Sequence, residues 1–266
     1  MAAFDVKWPP FGAQPRFRSI LDHMPPLPRN LRLDDAFALP GCPVCRIVLQ
    51  RVAQTIETIQ DELVLDPAYR ERVDAAWGFC STHAAQWLAE AQPLSTAIIY
   101  EAVLGRITRE LERVSPAKSG LSGPLRSRMP GNRGSRGCAL LAEARPCPLC
   151  VTRAEQEREV VAQLVDGLRT ASGREHYRVS DGLCVAHLNL ALCARPGTDA
   201  LEALRAHLCA SHERLRADLR EVIRKHDYRF QDEPPGDEWT AVEHAVRHVA
   251  GPPGIDGRQS RSGAAE

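Results

Sequence analysis

Apolar residues recur at three- and four-residue steps along most of the chain, a spacing that places them on one face of an α-helix. Two such stripes occur in the first half, one after Pro43 and one after Ser95. They contain Val44, Ile47, Val48, Val52, Ile56, Ile59 and Leu63, and then Ile98, Ile99, Ala102, Val103, Ile107, Leu111 and Val114. No convincing run alternates apolar and polar residues as a half-buried strand does. The pattern therefore predicts an all-α protein.

The second half repeats this plan. One apolar stripe follows Pro148, and a longer one runs from Leu201 to Ile223. The longer stripe begins next to Asp199 and Glu202, which have the spacing of a capping box. We therefore expect two related helical bundles that arose by internal duplication, each clamped by a Cys3His metal site.

Proline, glycine and charge mark the boundaries of the predicted parts. Residues 1–30 hold six prolines and are predicted to form an extended arm. Residues 115–137 contain five basic residues, no acidic residue and no apolar period, which predicts a flexible basic linker. The first metal-binding repeat is predicted at 31–114 and the second at 138–228. The tail at 229–266 is predicted to hold one terminal helix, at 239–250.

Composition narrows the function classes. The 266 residues include 34 basic and 34 acidic side chains, so the strong positive field typical of nucleic-acid-binding proteins is absent. No run of about 20 apolar residues is present that could cross a membrane, and no signal peptide is evident. We therefore expect a cytoplasmic protein. In a reducing compartment its nine cysteines indicate metal binding or catalysis rather than disulfides.

A cysteine and histidine motif occurs in both halves. The first copy is Cys42-Pro43-Val44-Cys45 followed by Cys80-Ser81-Thr82-His83, and the second is Cys147-Pro148-Leu149-Cys150 followed by Cys184-Val185-Ala186-His187. The step from the second to the third cysteine is 35 residues in the first copy and 34 in the second. A glycine, Gly78 or Gly182, stands two residues before the third cysteine in each. This recurrence in one frame indicates an internal duplication.

Three thiolates and one imidazole are the usual ligands of a closed structural zinc site. Each Cys-x-x-Cys pair begins a predicted helix, whose positive N-terminal end favours thiolates over thiols. Taken half by half, the sequence predicts site 1 at Cys42, Cys45, Cys80 and His83, and site 2 at Cys147, Cys150, Cys184 and His187. Four protein ligands leave no open coordination position, so the two zinc ions would be structural, and we predict no catalytic residue.

Two other chemistries fit the same cysteines. Iron–sulfur clusters also accept Cys3His ligands, and the matching function is an electron-transfer or cluster-carrier protein. A Cys-Pro-x-Cys redox dithiol of the glutaredoxin type would need a strand directly upstream and would leave Cys80 and His83 without a role. Zinc is preferred because paired ligands from separate elements suit one small ion.

Cys138, Cys193 and Cys209 lie outside the motif, and core packing is the expected role of all three. The alternative for Cys193, Cys209 and His212 is a reactive thiol or an additional ligand, since Cys209 and His212 repeat the Cys-x-x-His spacing. Carboxylates such as Glu155 and Glu157 occupy helix positions typical of solvated faces. No phosphate-binding loop or nucleophile elbow occurs, which favours a role other than catalysis but leaves a small-molecule enzyme open.

Several of these features together resemble a family of uncharacterised bacterial proteins classed as a domain of unknown function. The features are the paired cysteine motifs, Asp66-Pro67, Ile98-Ile99-Tyr100-Glu101, the segment Lys225–Phe230 with its Asp-Tyr-Arg-Phe sequence, and Glu233–Glu238. The resemblance covers residues 31 to 251 and implies bacterial origin and a helical body with two sites. It brings no activity and no catalytic residue. We therefore expect a binding or adaptor module with a protein partner.

Overall fold

All regular structure that can be described is helical in this computed structural model, which covers residues 30–90, 92–112, 144–230 and 232–255. Within these ranges lie α1 (Leu33–Phe37), α2 (Pro43–Thr58), α3 (Pro67–Ala75), α4 (Ser81–Glu90), α5 (Pro93–Glu112), α6 (Pro148–Gly167), α7 (Ala171–Arg178), α8 (Val185–Cys193), α9 (Thr198–Lys225) and α10 (Thr240–Ala250). Short 3₁₀ helices occupy Tyr228–Phe230 and Asp237–Trp239. The prediction of an all-α protein is confirmed.

Some sequence predictions lie outside the described residues. They are the Pro-rich arm up to residue 29, the basic linker at 115–137, and Cys138. The domain boundaries that depend on these segments stay predictions. Within the described ranges, no helix combines the length and the apolar character that a membrane-spanning helix requires.

The start of α2 follows the sequence pattern closely, whereas its end differs from it. Cys42 is the N-cap, and Pro43 occupies the first turn, where its missing N–H costs nothing. The α-helix ends at Thr58 and continues as a π-helical turn, Ile59–Leu63, instead of running on to Asp66 as one regular helix. Asp66 instead caps α3, because its carboxylate accepts a hydrogen bond of 3.0 Å from the backbone N–H of Ala68.

The core forms where α2 packs against α6, its counterpart in the second half. This is the most extensive helix pair among the described residues. Val44, Val48 and Val52 on α2 are almost fully buried, as are Leu149 and Val160 on α6. In the first half α4 packs on α2, and in the second half α8 packs on α6. The described residues from Leu31 onward form one compact unit.

Each half turns sharply just before its third cysteine. Gly78 and Gly182 have φ angles of 90° and 83°, a region that a Cβ atom disfavours. Trp77 also has a positive φ, of 60°, which the sequence did not indicate. These corners lead directly into α4 and α8 and so position the second ligand pair of each half.

Candidate metal centres

The four ligand pairs all lie at helix starts. Cys42, Cys147 and Cys184 are the N-caps of α2, α6 and α8, and the carbonyl of Cys80 accepts the first backbone bond of α4, from Ala84 at 2.8 Å. In each pair the second ligand follows three residues later, within the first turn, where backbone N–H groups have no helical partner. The positive end of each helix therefore faces the sulfur atoms.

Centre 1 joins Cys42 and Cys45 from α2 to Cys184 and His187 from α8. The Sγ atoms of Cys45 and Cys184 are 3.6 Å apart. The Nδ1 atom of His187 lies 3.2 Å from both of these sulfurs and 3.5 Å from that of Cys42. All four donor atoms fall within 4.8 Å of one another.

Centre 2 joins Cys80 and His83 from α4 to Cys147 and Cys150 from α6. The Sγ atoms of Cys80 and Cys150 are 3.6 Å apart. The Nδ1 atom of His83 lies 3.2 Å from the sulfur of Cys80, 3.3 Å from that of Cys150 and 3.7 Å from that of Cys147. The two centres thus have the same composition and nearly the same geometry.

The ligand pairing that the sequence predicted is wrong. Site 1 does not combine Cys42 and Cys45 with Cys80 and His83, and site 2 does not combine Cys147 and Cys150 with Cys184 and His187. Each helix that carries two cysteines receives its other two ligands from the opposite half. All eight residues fall into the two clusters, but each cluster combines residues from both halves of the chain.

The crossing follows from the packing of α2 against α6, which brings the second ligand pair of each half to the opposite half. Two hydrogen bonds next to the ligands, each donated by a backbone N–H, cross in the same way. The N–H of Gly41 donates to the carboxylate of Asp181 at 2.6 Å, and the N–H of Arg145 donates to the carbonyl of Ala75 at 3.0 Å. Sequence distance could not reveal this, because the repeats carry identical ligand types.

The donor spacing fits one tetrahedral ion in each centre. A zinc ion with Zn–S of about 2.3 Å and Zn–N of about 2.1 Å separates two sulfurs by about 3.8 Å, and a sulfur from a nitrogen by about 3.6 Å. The observed separations of 3.2 to 3.7 Å lie within a few tenths of an ångström of those values. In both centres Nδ1 faces the sulfurs, which leaves Nε2 for outer contacts.

Electrostatics within each cluster also favours a cation. Burial and hydrogen bonding raise the pKa of the Cys45 thiol well above its ordinary value, while a hydrogen bond with Cys42 lowers the pKa of Cys184. In centre 2, hydrogen bonds with Cys147 raise the pKa of Cys150 and lower that of Cys80. In each cluster one thiol therefore loses its proton more easily and a neighbour keeps its proton, because two adjacent thiolates repel each other. A divalent ion at the middle would stabilise all three thiolates at once and leave the site with a net charge of about −1.

The remaining candidate residues lie outside both clusters. Cys193, at the end of α8, and Cys209, on α9, are exposed, so the expectation of core packing is wrong for both. His212 is half-buried, and its Nε2 lies 2.6 Å from Nε2 of His248 on α10. Among the described residues, neither group of metal-ligating side chains contains Cys193, Cys209 or His212.

Sequence reasoning missed a buried ion pair beside centre 1. Glu157 was expected on a solvated face, but it is 3% exposed, and its α6 neighbour Arg153 is 2% exposed. Glu155, two residues before Glu157 on the same helix, is exposed as expected. The signal was available in the repeat itself, since Glu157 follows Cys150 by seven residues, as the apolar Val52 follows Cys45.

Comparison with known proteins gives a family but no activity. Neither the curated proteins nor the solved structures contain a match to this chain. The family model that does match covers residues 29–253 and therefore includes both centres and all ten described helices. On that match, the chain belongs to a family of unknown function (DUF6062).

Proposed function

We propose that this protein binds two structural zinc ions, one in each Cys3His centre, and that the fold they hold together acts as a binding or adaptor module. The observation that carries the proposal is the donor geometry, four donor atoms within 4.8 Å in each centre. Zinc has no redox chemistry and accepts this mixed sulfur and nitrogen tetrahedron without strain. With four protein donors, each ion would have no open position for a substrate.

The same spacing supports a single ion over an iron–sulfur cluster. The donors of a cluster are divided among several irons, so some donor pairs are separated by the width of the cluster. Here the Sγ atoms of Cys45 and Cys184, and those of Cys80 and Cys150, are each 3.6 Å apart, which is an edge of one tetrahedron. A cluster would need these helix starts to move apart.

The crossed ligands give the ions their structural role. Each ion would tie a helix start of the first half to a helix start of the second, at the end of the α2–α6 core. Ligands must be brought together from distant parts of the chain, so metal binding energy contributes directly to folding energy, typically about 10 kcal/mol or more per ion. The ions would then stabilise the relation between the halves as well as each half.

Elemental analysis and absorption of the purified protein test this proposal. We expect two zinc atoms per chain and no visible absorption, whereas clusters would absorb near ~400 nm. Cys45→Ser and Cys150→Ser should each lose one equivalent, since Cys45 belongs to centre 1 and Cys150 to centre 2. A protein that holds no zinc, or variants with unchanged metal content, would refute it.

The adaptor part of the proposal concerns exposed apolar side chains. Leu104 and Leu111 on α5 are 60% and 54% exposed, and they lie seven residues apart on one face of the helix. Apolar residues spaced i and i+7 are among the anchors by which an amphipathic helix enters a groove of another protein. Changing both to glutamate should abolish binding of the partner and leave two zinc atoms in place. Retained partner binding would move the proposed contact elsewhere.

A further inference from the structure

The two centres have the same ligands but different surroundings, and the difference begins with a buried ion pair. Arg153 and Glu157 lie one turn apart on α6, with 2% and 3% of their surface exposed. The Nη1 atom of Arg153 is 3.7 Å from Oε1 of Glu157. Charged side chains are almost never buried this deeply without a specific partner, because removal from water is costly.

The second partner of Glu157 is a ligand of centre 1. Oε1 of Glu157 lies 3.7 Å from Nε2 of His187, the ring nitrogen that faces away from the sulfurs. This distance is longer than a hydrogen bond but within ion-pair range, and His187 itself is fully buried. A carboxylate behind a metal-bound histidine fixes the ring's orientation and makes the other nitrogen a stronger donor to the metal. Glu157 is in place to act this way.

Centre 2 lacks this arrangement. The residues in the same frame on α2 are Val48 and Val52, which follow Cys45 by three and seven positions, as Arg153 and Glu157 follow Cys150. Both valines are buried. His83 is 1% exposed. Among the described residues its Nε2, like that of His187, has no hydrogen-bond partner, but His187 has the Glu157 carboxylate within ion-pair range and His83 has no such carboxylate. Its ring is therefore held only by packing and by the ligand cluster.

Exposure of the sulfur atoms differs in the same direction. In centre 1, Cys45 and Cys184 are each 1% exposed, and of the three cysteines only Cys42 is partly exposed. In centre 2, both Cys80 and Cys150 are of intermediate exposure. A chelator must reach a sulfur or the ion before it can remove metal, so centre 2 is the easier one to attack.

We propose that Glu157, paired with Arg153, is a positioning residue that orients His187 and slows the loss of metal from centre 1. Centre 2 has no such residue in the described part of the chain and is the centre that exchanges its metal. This inference rests on the proposed function, because it requires both centres to bind an ion. The chain would then combine a permanent structural ion with one that responds to available metal or to competing thiols.

Metal release from the full-length, two-zinc protein tests the order. In excess EDTA we expect two phases of one equivalent each. Alkylation of newly released thiols, mapped by mass spectrometry, should mark Cys80, Cys147 and Cys150 in the fast phase and Cys42, Cys45 and Cys184 in the slow phase. The exposed Cys193 and Cys209 should react before either phase and so report that the reagent is active.

A paired substitution tests the role of Glu157. Glu157→Gln alone would leave Arg153 buried without a counter-charge, so the better variant is Arg153→Met with Glu157→Leu, which keeps the volume and removes both charges. Loss of an outer partner of this kind typically weakens metal binding 10–100-fold. We expect the slow phase to become faster by about that factor, while the fast phase and the helical circular dichroism stay unchanged. Glu155→Gln, an exposed carboxylate on the same helix, is the matched control and should change neither phase.

Each outcome has one meaning. Loss of both ions in one phase, a fast phase that maps to Cys42 and Cys45, or an unchanged slow phase in the paired variant would overturn the inference. The wild-type phase assignment stands as a separate test if the paired variant does not fold. A wild-type protein that carries no zinc would overturn the proposed function itself, and elemental analysis distinguishes that result before any chelator is added.

Discussion

Replacing Cys184 by serine should weaken metal binding in centre 1 and make two thiols in the other half of the chain more reactive. Cys184 lies 139 residues from Cys45 in sequence, but their Sγ atoms are 3.6 Å apart. Removal of this thiolate would leave Cys42, Cys45 and His187 as donors, with one vertex of the tetrahedron open. The thiols that become reactive should therefore be Cys42 and Cys45.

The expected size of the effect follows from the number of donors. A structural zinc site contributes about 10–16 kcal/mol, so an equal share for each of four donors is about 2.5–4 kcal/mol. That loss corresponds to about 10²–10³ in zinc affinity. Because typical domains are stable by only about 5–15 kcal/mol, the variant should retain its helices at low temperature but unfold at a clearly lower urea concentration.

Timed alkylation with mass spectrometric mapping decides the result. In Cys184→Ser, peptides that contain Cys42 and Cys45 should gain label, while Cys147 and Cys150 should stay protected. The reciprocal control is Cys80→Ser, which should release Cys147 and Cys150 and protect Cys42 and Cys45. If Cys184→Ser instead exposed Cys147 and Cys150, each centre would lie within its own half, and the crossed arrangement would be refuted.

Four further substitutions test the fold around the centres. Trp87 is fully buried and donates a hydrogen bond of 3.0 Å to Thr96. In urea unfolding, Trp87→Ala should lower the free energy of unfolding by about 3–5 kcal/mol, and Thr96→Val should lower it by about 1 kcal/mol. Equal losses in the two variants would contradict this packing. Gly182→Ala combines a φ of 83° with a Cβ 2.7 Å from Leu208 and should lower the melting temperature, whereas an unchanged value would argue against the corner. Burial lowers the pKa of His207, so the unfolded chain binds its proton first and stability should fall as the pH drops below about 6.5. His207→Gln should reduce this slope between pH 7 and 5, and an identical slope would exclude His207 as the titrating group.

Local features of the fold could be predicted because they depend on short sequence distances. The 3.6-residue apolar period located α2, α5, α6 and α9, and proline and glycine located their starts and corners. The glycines before each third cysteine, Gly78 and Gly182, both have the positive φ angles that glycine tolerates best. The π-helical turn at Ile59–Leu63 did not, because its apolar spacing is also compatible with a regular helix.

The ligand pairing could not be predicted because it depends on contacts between distant segments. By sequence alone, Cys42 and Cys45 form an equally good Cys3His set with Cys80 and His83 as with Cys184 and His187. Only the packing of α2 against α6 chooses between them. The burial of Glu157 was missed for a related reason, since a charged residue on a helix is usually solvated and its partner His187 is 30 residues away.

The central helices of the two halves differ in the charge that they bury. In a two-fold pair of identical repeats, a buried Arg–Glu pair on one central helix would have to appear on the other, and the core would then hold four buried charges side by side. Within one chain that restriction is absent, so α6 carries Arg153 and Glu157 while α2 carries Val48 and Val52 at the same positions. The chain thus pays the desolvation cost of one buried ion pair only, on α6. Glu157 of that pair lies next to His187, which it can orient, and α2 contributes apolar packing. A single chain can therefore place two clusters of identical ligand composition in different surroundings, with a buried carboxylate beside His187 and apolar residues at the matching positions of α2.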